Sequence, residues 1–351
     1  MAIYLVNFFL IAIYTLIYYS QPKEKRNKKT LSFFIILSTL QLILLQSVKD
    51  INLGSDMPFY WKYYNLQLNY NFSELSFSRF ELLFKILTKL VTNITNSKSI
   101  YLFVISCLST APIGYITYKY SKSPFLSILL YLSFGFYAFN FSGLRQAVAF
   151  GLIFFSYKFI MEKKLYKYLI TVICAILFHK SAFIFLPAYF FYNIKLNKIK
   201  FLILFLVDIS FFIFKVPIYS FISNIFYEEY GVVISNSYLW MVMCFAIFMF
   251  SLIFYKKVLE KNTSATILYV LVAIGTSIMI FAPVANNILR VANYYYMFVI
   301  LLVPEVISVL KENKNQILMM FIVIFCCFVL YYYSLSIDLY NIVPYIYGGL
   351  K

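Results

Sequence analysis

Residues 143–190 read GLRQAVAFGLIFFSYKFIMEKKLYKYLITVICAILFHKSAFIFLPAYF. This stretch decides the architecture, because every later segment takes its side of the membrane from how it is cut. One apolar run covers 145–161. A second, 166–194, has 29 residues and would be about 43 Å long as one helix, well beyond a hydrocarbon core of about 30 Å. It carries His179-Lys180 near its middle and Pro187 beyond, so it reads as two short spans that meet at His179.

Working outward, apolar runs near bilayer-spanning length recur at about 2–20, 31–48, 98–118, 124–142, 201–216, 237–255, 264–283, 291–310 and 315–335. Backbone in lipid must satisfy its own hydrogen bonds, and the runs show no strand-period alternation, so they are helices. The expected fold is therefore all-α, a polytopic integral membrane protein of about twelve transmembrane helices. The composition agrees: 63% of the 351 residues are hydrophobic and only 12% charged, and the mean hydropathy is +0.83. A soluble chain carries roughly a quarter charged residues. Residues 1–20 lack a basic leader and a small-residue cleavage site, so they read as a retained first span.

The net charge of +17 would suggest nucleic acid in a soluble protein. Here the lysines sit in short loops between spans and act as topology signals. With the N-terminus outside, the inner loops are 21–30, 119–123, 158–167, 195–200, 256–263 and 311–315, and they hold nineteen of the thirty Lys and Arg residues. Reading 166–194 as a single span would place the lysines of 256–261 and 311–314 outside, against the rule. Residues 1–351 read as one transmembrane domain without repeats. Its two long outer segments are 49–97, with an amphipathic interfacial helix near 79–90 (RFELLFKILTKL), and 217–236.

The polar residues left on the outer side form a short set. Lys49, Asp56 and Tyr60 follow the second span, Glu81 lies on the interfacial helix, and Arg145-Gln146 opens the fifth span. His179 sits at the break in 166–194, and Arg290 precedes Tyr294 and Tyr295. Ionisable groups at membrane helices are costly and point to function. Cations drawn from separate parts of the chain suit a phosphate or diphosphate, which an arginine fork grips in two places. Tyr60, Trp61, Tyr63 and Tyr294–Tyr296 are candidates to stack on sugar rings. Each residue also has a plainer reading. Arg145 and Arg290 can reach lipid headgroups, His179 can cap a helix end, and Asp56 can cap a turn. Glu81 can pair with Lys85, and the tyrosines can form an aromatic belt. Asp208 is a lone acid within a span. The five cysteines lie inside apolar runs without ligand spacing, and there is one histidine, so no metal centre and no cofactor is expected.

The 143–190 segment resembles the central signature of the EpsG-like family of exopolysaccharide polymerases, related in role to Wzy-type polymerases. Arg145-Gln146, Lys163-Lys164 and Phe178-His179-Lys180-Ser181 carry the resemblance. Upstream, Gly54-Ser55-Asp56 with Tyr60 and then Phe80-Glu81 extend it; downstream, Arg290 with Tyr294-Tyr295 and Pro344-Tyr345 do so. Lys49 departs from it, standing where relatives often have arginine.

The resemblance implies a multi-pass protein of the bacterial cytoplasmic membrane with its active face extracytoplasmic. It would transfer a growing glycan from undecaprenyl diphosphate to a lipid-linked repeat unit, without metal, as an exopolysaccharide or capsule glycosyltransferase. The implied roles are diphosphate and substrate binding for Lys49, Arg145, Gln146 and Arg290, with Tyr60, Tyr294 and Tyr295 against the sugars. His179 is the base or acceptor-orienting group, with Asp56 or Glu81 second. The implied partners are the undecaprenyl-diphosphate-linked oligosaccharide, the bilayer, a chain-length regulator and a flippase, and no nucleic acid. Two other activities stay open at this point: a lipid-linked glycan ligase, and a flippase of the same lipid-linked unit.

Overall fold

The computed structural model describes residues 1–22, 25–69, 80–194, 196–226, 237–285, 287–310 and 316–349. Arg79, the 227–236 part of the second outer segment and the basic turn 311–315 lie outside the described residues. The helices, in chain order, are α1 Ala2–Ser20, α2 Lys28–Ser47, α3 Met57–Asn69, α4 Leu82–Ile94, α5 Lys98–Tyr120, α6 Pro124–Ser133, α7 Phe136–Phe139, α8 Leu144–Met161 and α9 Leu165–Phe178. After a run of 310 turns, Lys180–Asn193, come α10 Lys198–Ile213, α11 Lys215–Phe226, α12 Tyr238–Ile253, α13 Tyr255–Lys261, α14 Thr266–Met279, α15 Asn287–Tyr296, α16 Val299–Leu310 and α17 Gln316–Ile337. Side-chain caps start several of them: Asn27 accepts from the Thr30 N–H at 2.9 Å, and Asn197 from that of Lys200 at 2.9 Å.

No strand occurs among the described residues. Large apolar side chains face outward along the helices, such as Val6, Phe9 and Ile13 of α1, Phe33 and Ile36 of α2, and Leu202, Phe205 and Leu206 of α10. A water-soluble protein does not bare so much apolar surface, so the surrounding solvent is lipid. The chain is a multi-pass membrane protein.

The count of twelve is not reached by helix length. Among the described residues, four helices are long and apolar enough to cross a membrane, or up to seven if each bent pair is one span. The shortfall has local causes. The expected span 124–142 is broken after Ser133, because Gly135 turns to φ 72°; the short helix α7 follows, and the chain then runs irregularly to Gly143. The 166–194 stretch does break at His179, leaving α9 with 14 residues, about 21 Å. Bends of 78°, 60° and 46° divide α10 from α11, α12 from α13, and α15 from α16.

The contacts group the chain into two compact units, residues 1–183 with 311–351, and residues 184–310. In the first, α5 packs against α2 and α8, α8 against α9, and α6 against α17. The start of α2, the end of α5, the end of α8 and the start of α9 lie at one end of this unit. The basic ends meet where Tyr118 donates to the Lys28 carbonyl at 3.4 Å and Glu162 receives Lys119 at 3.0 Å and Lys164 at 2.8 Å. The start of α8, the end of α9 and the start of α4 meet at the other end. In the second unit, α14 packs against α12, α15 and α16.

Small residues let the first unit's helices close. A methyl group on Gly151 of α8 would stand 2.6 Å from the Leu108 carbonyl oxygen and 2.7 Å from that of Ser109, both on α5. Between lipid-embedded helices, contact at this range is what drives packing. The hydroxyls beside it are returned to their own helix, Ser106 to Leu102 at 2.6 Å. Gly151→Leu is expected to force α5 and α8 apart at a cost of about 1–3 kcal/mol. A lower melting temperature of the detergent-purified protein, against an unchanged control such as Ile170→Leu on exposed α9 surface, is the measurement.

Candidate functional site

Three elements of the first unit converge on one carboxylate. Glu81 is the N-cap of α4, Arg145 sits in the first turn of α8, and His179 is the C-cap of α9. One Glu81 oxygen pairs with Arg145 Nη1. The other receives His179 Nδ1 at 3.1 Å and the Lys180 backbone N–H at 3.2 Å. The carboxylate is buried, at 6% side-chain exposure, whereas the Arg145 and His179 side chains keep 23% and 25%. The acid therefore lies behind, and the two basic groups lie in front.

The guanidinium is fixed on its other edges as well. Its Nε and the Arg145 backbone N–H each donate to the Tyr60 hydroxyl at 3.5 Å. Its flat face lies 4.5 Å from the centroid of Phe80 and 5.9 Å from that of Tyr60. Arginine has five N–H donors, and the described residues use one on Nε and one on Nη1. The remaining donors are held ready in a rotamer locked by stacking.

Burial alone would raise the Glu81 pKa. The hydrogen bond from His179, the charges of Arg145 and His179, and the Lys180 N–H outweigh it, and hold the carboxyl at about 2 rather than its usual 4.5. With both oxygens engaged and its proton affinity so low, Glu81 does not suit the base role that was its second reading. Nor does the expected pairing with Lys85 describe it. With Nδ1 donating to Glu81, the basic nitrogen of a neutral His179 ring is Nε2.

The loop that launches α8 is built from the other expected residues. Lys49 is buried to 2%, and its ammonium donates to the Leu53 carbonyl at 2.8 Å and to that of Phe141. Burial pulls its pKa well below the usual lysine range, and Asp50 opposes this in part. Its geometry is that of a strut between two loops, not of a ligand open to a diphosphate. Asp56 lies in the neighbouring turn. Its N–H donates to Ser142 Oγ at 3.2 Å, and Ser142 Oγ stands 2.7 Å from Ser55 Oγ. Gly54, at φ +120°, lies against the Phe141 carbonyl, where no side chain would fit.

The C-terminal tail clamps this turn from the far side. The Gly54 and Ser55 N–H groups donate to the Asn341 and Tyr340 carbonyls at 3.1 and 2.9 Å. The Asp338 carboxylate receives the N–H of Ile342 at 2.7 Å and of Val343 at 3.1 Å. Tyr4 and Tyr345 hydroxyls tie the tail to α1 and α2. Neither this clasp nor the role of Ser142 is expected from the sequence, in which the tail shows Asp338, Asn341, Pro344 and Tyr345 as polar or turn-forming residues.

Gln146 is buried and stands 3.5 Å from Ser181, joining α8 to the 310 turns beside His179. The sugar-stacking role does not fit the tyrosines. Tyr60, Trp61 and Tyr63 are each 5% exposed, and Tyr60 spends its ring and hydroxyl on Phe80 and Arg145. In the second unit Tyr294 and Tyr295 are buried, and Tyr295 donates to the Ile184 carbonyl at 2.6 Å. Arg290 belongs to that unit, partly exposed on α15.

Linkage gives Glu81 a stability signature. Its folded pKa lies below its usual value, so the stabilisation is complete above about pH 4.5 and is lost as pH falls towards about 2. Glu81→Gln is expected to lose roughly 2–3 kcal/mol at pH 7. The difference in melting temperature between mutant and wild type should then shrink as pH drops below 4.5; a gap that is constant with pH would contradict this role.

A family model described as the EpsG family matches residues 33–347, nearly the whole chain, and the chain belongs to that family. No curated protein and no solved structure matches it.

Proposed function

We propose, with membership of the EpsG family as the premise, that this protein is a polysaccharide repeat-unit polymerase. It takes a growing glycan carried on undecaprenyl diphosphate and transfers it to a lipid-linked repeat unit, at the extracytoplasmic face of the bacterial cytoplasmic membrane. The observation that carries the reading is the buried Glu81 carboxylate holding Arg145 and His179 side by side at one end of the helices.

In this reading Arg145 receives the diphosphate. Its unused N–H donors meet the leaving oxygens, and its charge offsets the negative charge that builds as the bond breaks. His179 serves the acceptor. The attacking hydroxyl oxygen forms a bond to the anomeric carbon, the bond from that carbon to the diphosphate oxygen breaks with its electron pair leaving on the diphosphate, and the hydroxyl proton passes to Nε2. Glu81 positions both groups, much as a buried carboxylate sets the tautomer and direction of a catalytic imidazole. Lys49, Gly54 and the tail act one step back, by fixing the loop from which Arg145 projects. Asp56, beside that loop, is the alternative base.

The test is reconstitution in vesicles with a defined undecaprenyl-diphosphate repeat unit. Wild type should yield a ladder of polymer. Arg145→Ala and His179→Ala should each reduce polymer at least about 100-fold while the protein remains folded in the membrane. Arg145→Lys should recover only part of the loss, because a point charge replaces a two-pronged fork. Normal polymer from both alanine variants would overturn the assignment. In cells lacking the protein, accumulation of single lipid-linked repeats supports a polymerase, and accumulation of long lipid-linked chains would indicate a ligase instead.

A further inference from the structure

The second unit carries a buried polar group that packing does not explain. Asn293 on α15 is 7% exposed, and its carboxamide oxygen has no hydrogen-bond partner. Such an acceptor destabilises a fold, and an apolar side chain of the same shape in its place would not. Its neighbours on the helix, Ala292, Tyr294, Tyr295 and Tyr296, are buried as well.

Asn293 is also the inner end of a stripe. Asn287, Arg290 and Asn293 recur every third residue of α15, so each neighbours the next on a line that winds inward around the helix. Exposure falls along it: Asn287 is exposed, Arg290 partly exposed and Asn293 buried. The stripe begins at a helix N-terminus, whose N–H groups and dipole favour an anion. Three residues of helix rise set the backbones of Arg290 and Asn293 about 4.5 Å apart along the axis.

We propose that this stripe is a glycosyl-phosphate subsite in which Asn293 recognises a hydroxyl of the sugar next to the phosphate. The carboxamide oxygen accepts from that hydroxyl, and the phosphate lies at the Arg290 end of the stripe. A carboxamide can both donate and accept, as a sugar hydroxyl does. A site built around such a pair rejects a ligand lacking the hydroxyl, since its buried polar atom is then left unpaired. The inference rests on the polymerase reading and adds to it a residue that selects the sugar.

The experiment uses the full chain, purified into lipid nanodiscs, as wild type, Asn293→Leu and Asn293→Ala. Melting temperature is measured without substrate, and initial rate is measured against the concentration of a defined undecaprenyl-diphosphate repeat unit. The expected result for Asn293→Leu is a melting temperature at or above that of wild type, with apparent KM at least tenfold higher and maximal rate within about twofold. If the leucine variant is not recovered folded, the alanine variant decides by the same KM rise. An unchanged KM in whichever variant folds overturns the subsite while leaving the polymerase reading intact. Wild type that makes no polymer takes down the polymerase reading itself, and the subsite with it.

Discussion

One buried carboxylate organises the face on which the chemistry is placed. Glu81 is almost wholly buried, so its charge needs compensation from the protein. It takes a guanidinium on one oxygen, and an imidazole and a backbone N–H on the other. Each partner comes from a different element, so this single requirement fixes how the starts of α4 and α8 and the end of α9 sit together. Arg145 and His179 gain as well, because the shared acid sets the direction of each at one end of the helices. An arginine reaching lipid headgroups alone would have neither the stacking on Phe80 nor the shared acid.

A second constraint operates one layer behind. The chain from Phe134 to Gly143 holds one short helix, α7, between irregular stretches and is buried throughout, and non-helical backbone at such depth is tolerated only where protein satisfies it. Short turns answer some of its groups, and side chains answer the rest. Gln46 donates to the Asn140 carbonyl at 2.9 Å, and the Asn140 amide donates to Tyr131 at 2.7 Å and Thr110 at 3.3 Å. Lys49 covers the Phe141 carbonyl. The same segment ends at Gly143, the residue before α8, so the groups that make the buried loop possible also aim Arg145. A lysine that reads as a ligand in sequence is thus required by the backbone.

The C-terminal tail belongs to this arrangement. Its carbonyls bind the turn that carries Asp56, while Ser99 at the start of α5 holds the Gly349 carbonyl at 2.9 Å. Residues 250 or more positions apart in the chain close one surface, which gives a physical reason for polar and turn-forming residues at Asp338, Asn341 and Gly349, where the last apolar helix has already ended.

Composition and periodicity determined the all-helical membrane character and the break at His179. These follow from the partition of each segment between lipid and water, a property of the segment by itself. The sequence also narrowed the site to a few ionisable residues, because any charge near a membrane helix is expensive wherever it ends up. It could not say which of them meet. Glu81 lies 64 residues from Arg145 and 98 from His179, and Lys85, one turn away, was the nearer partner on local grounds. Only the packing of α4 against α9, and of α9 against α8, decided the pairing. The same packing buried Lys49, Tyr60, Tyr294 and Tyr295, and left the Asn293 oxygen without a partner. Burial and pairing are properties of what surrounds a side chain, and those surroundings exist only once the helices have closed on one another.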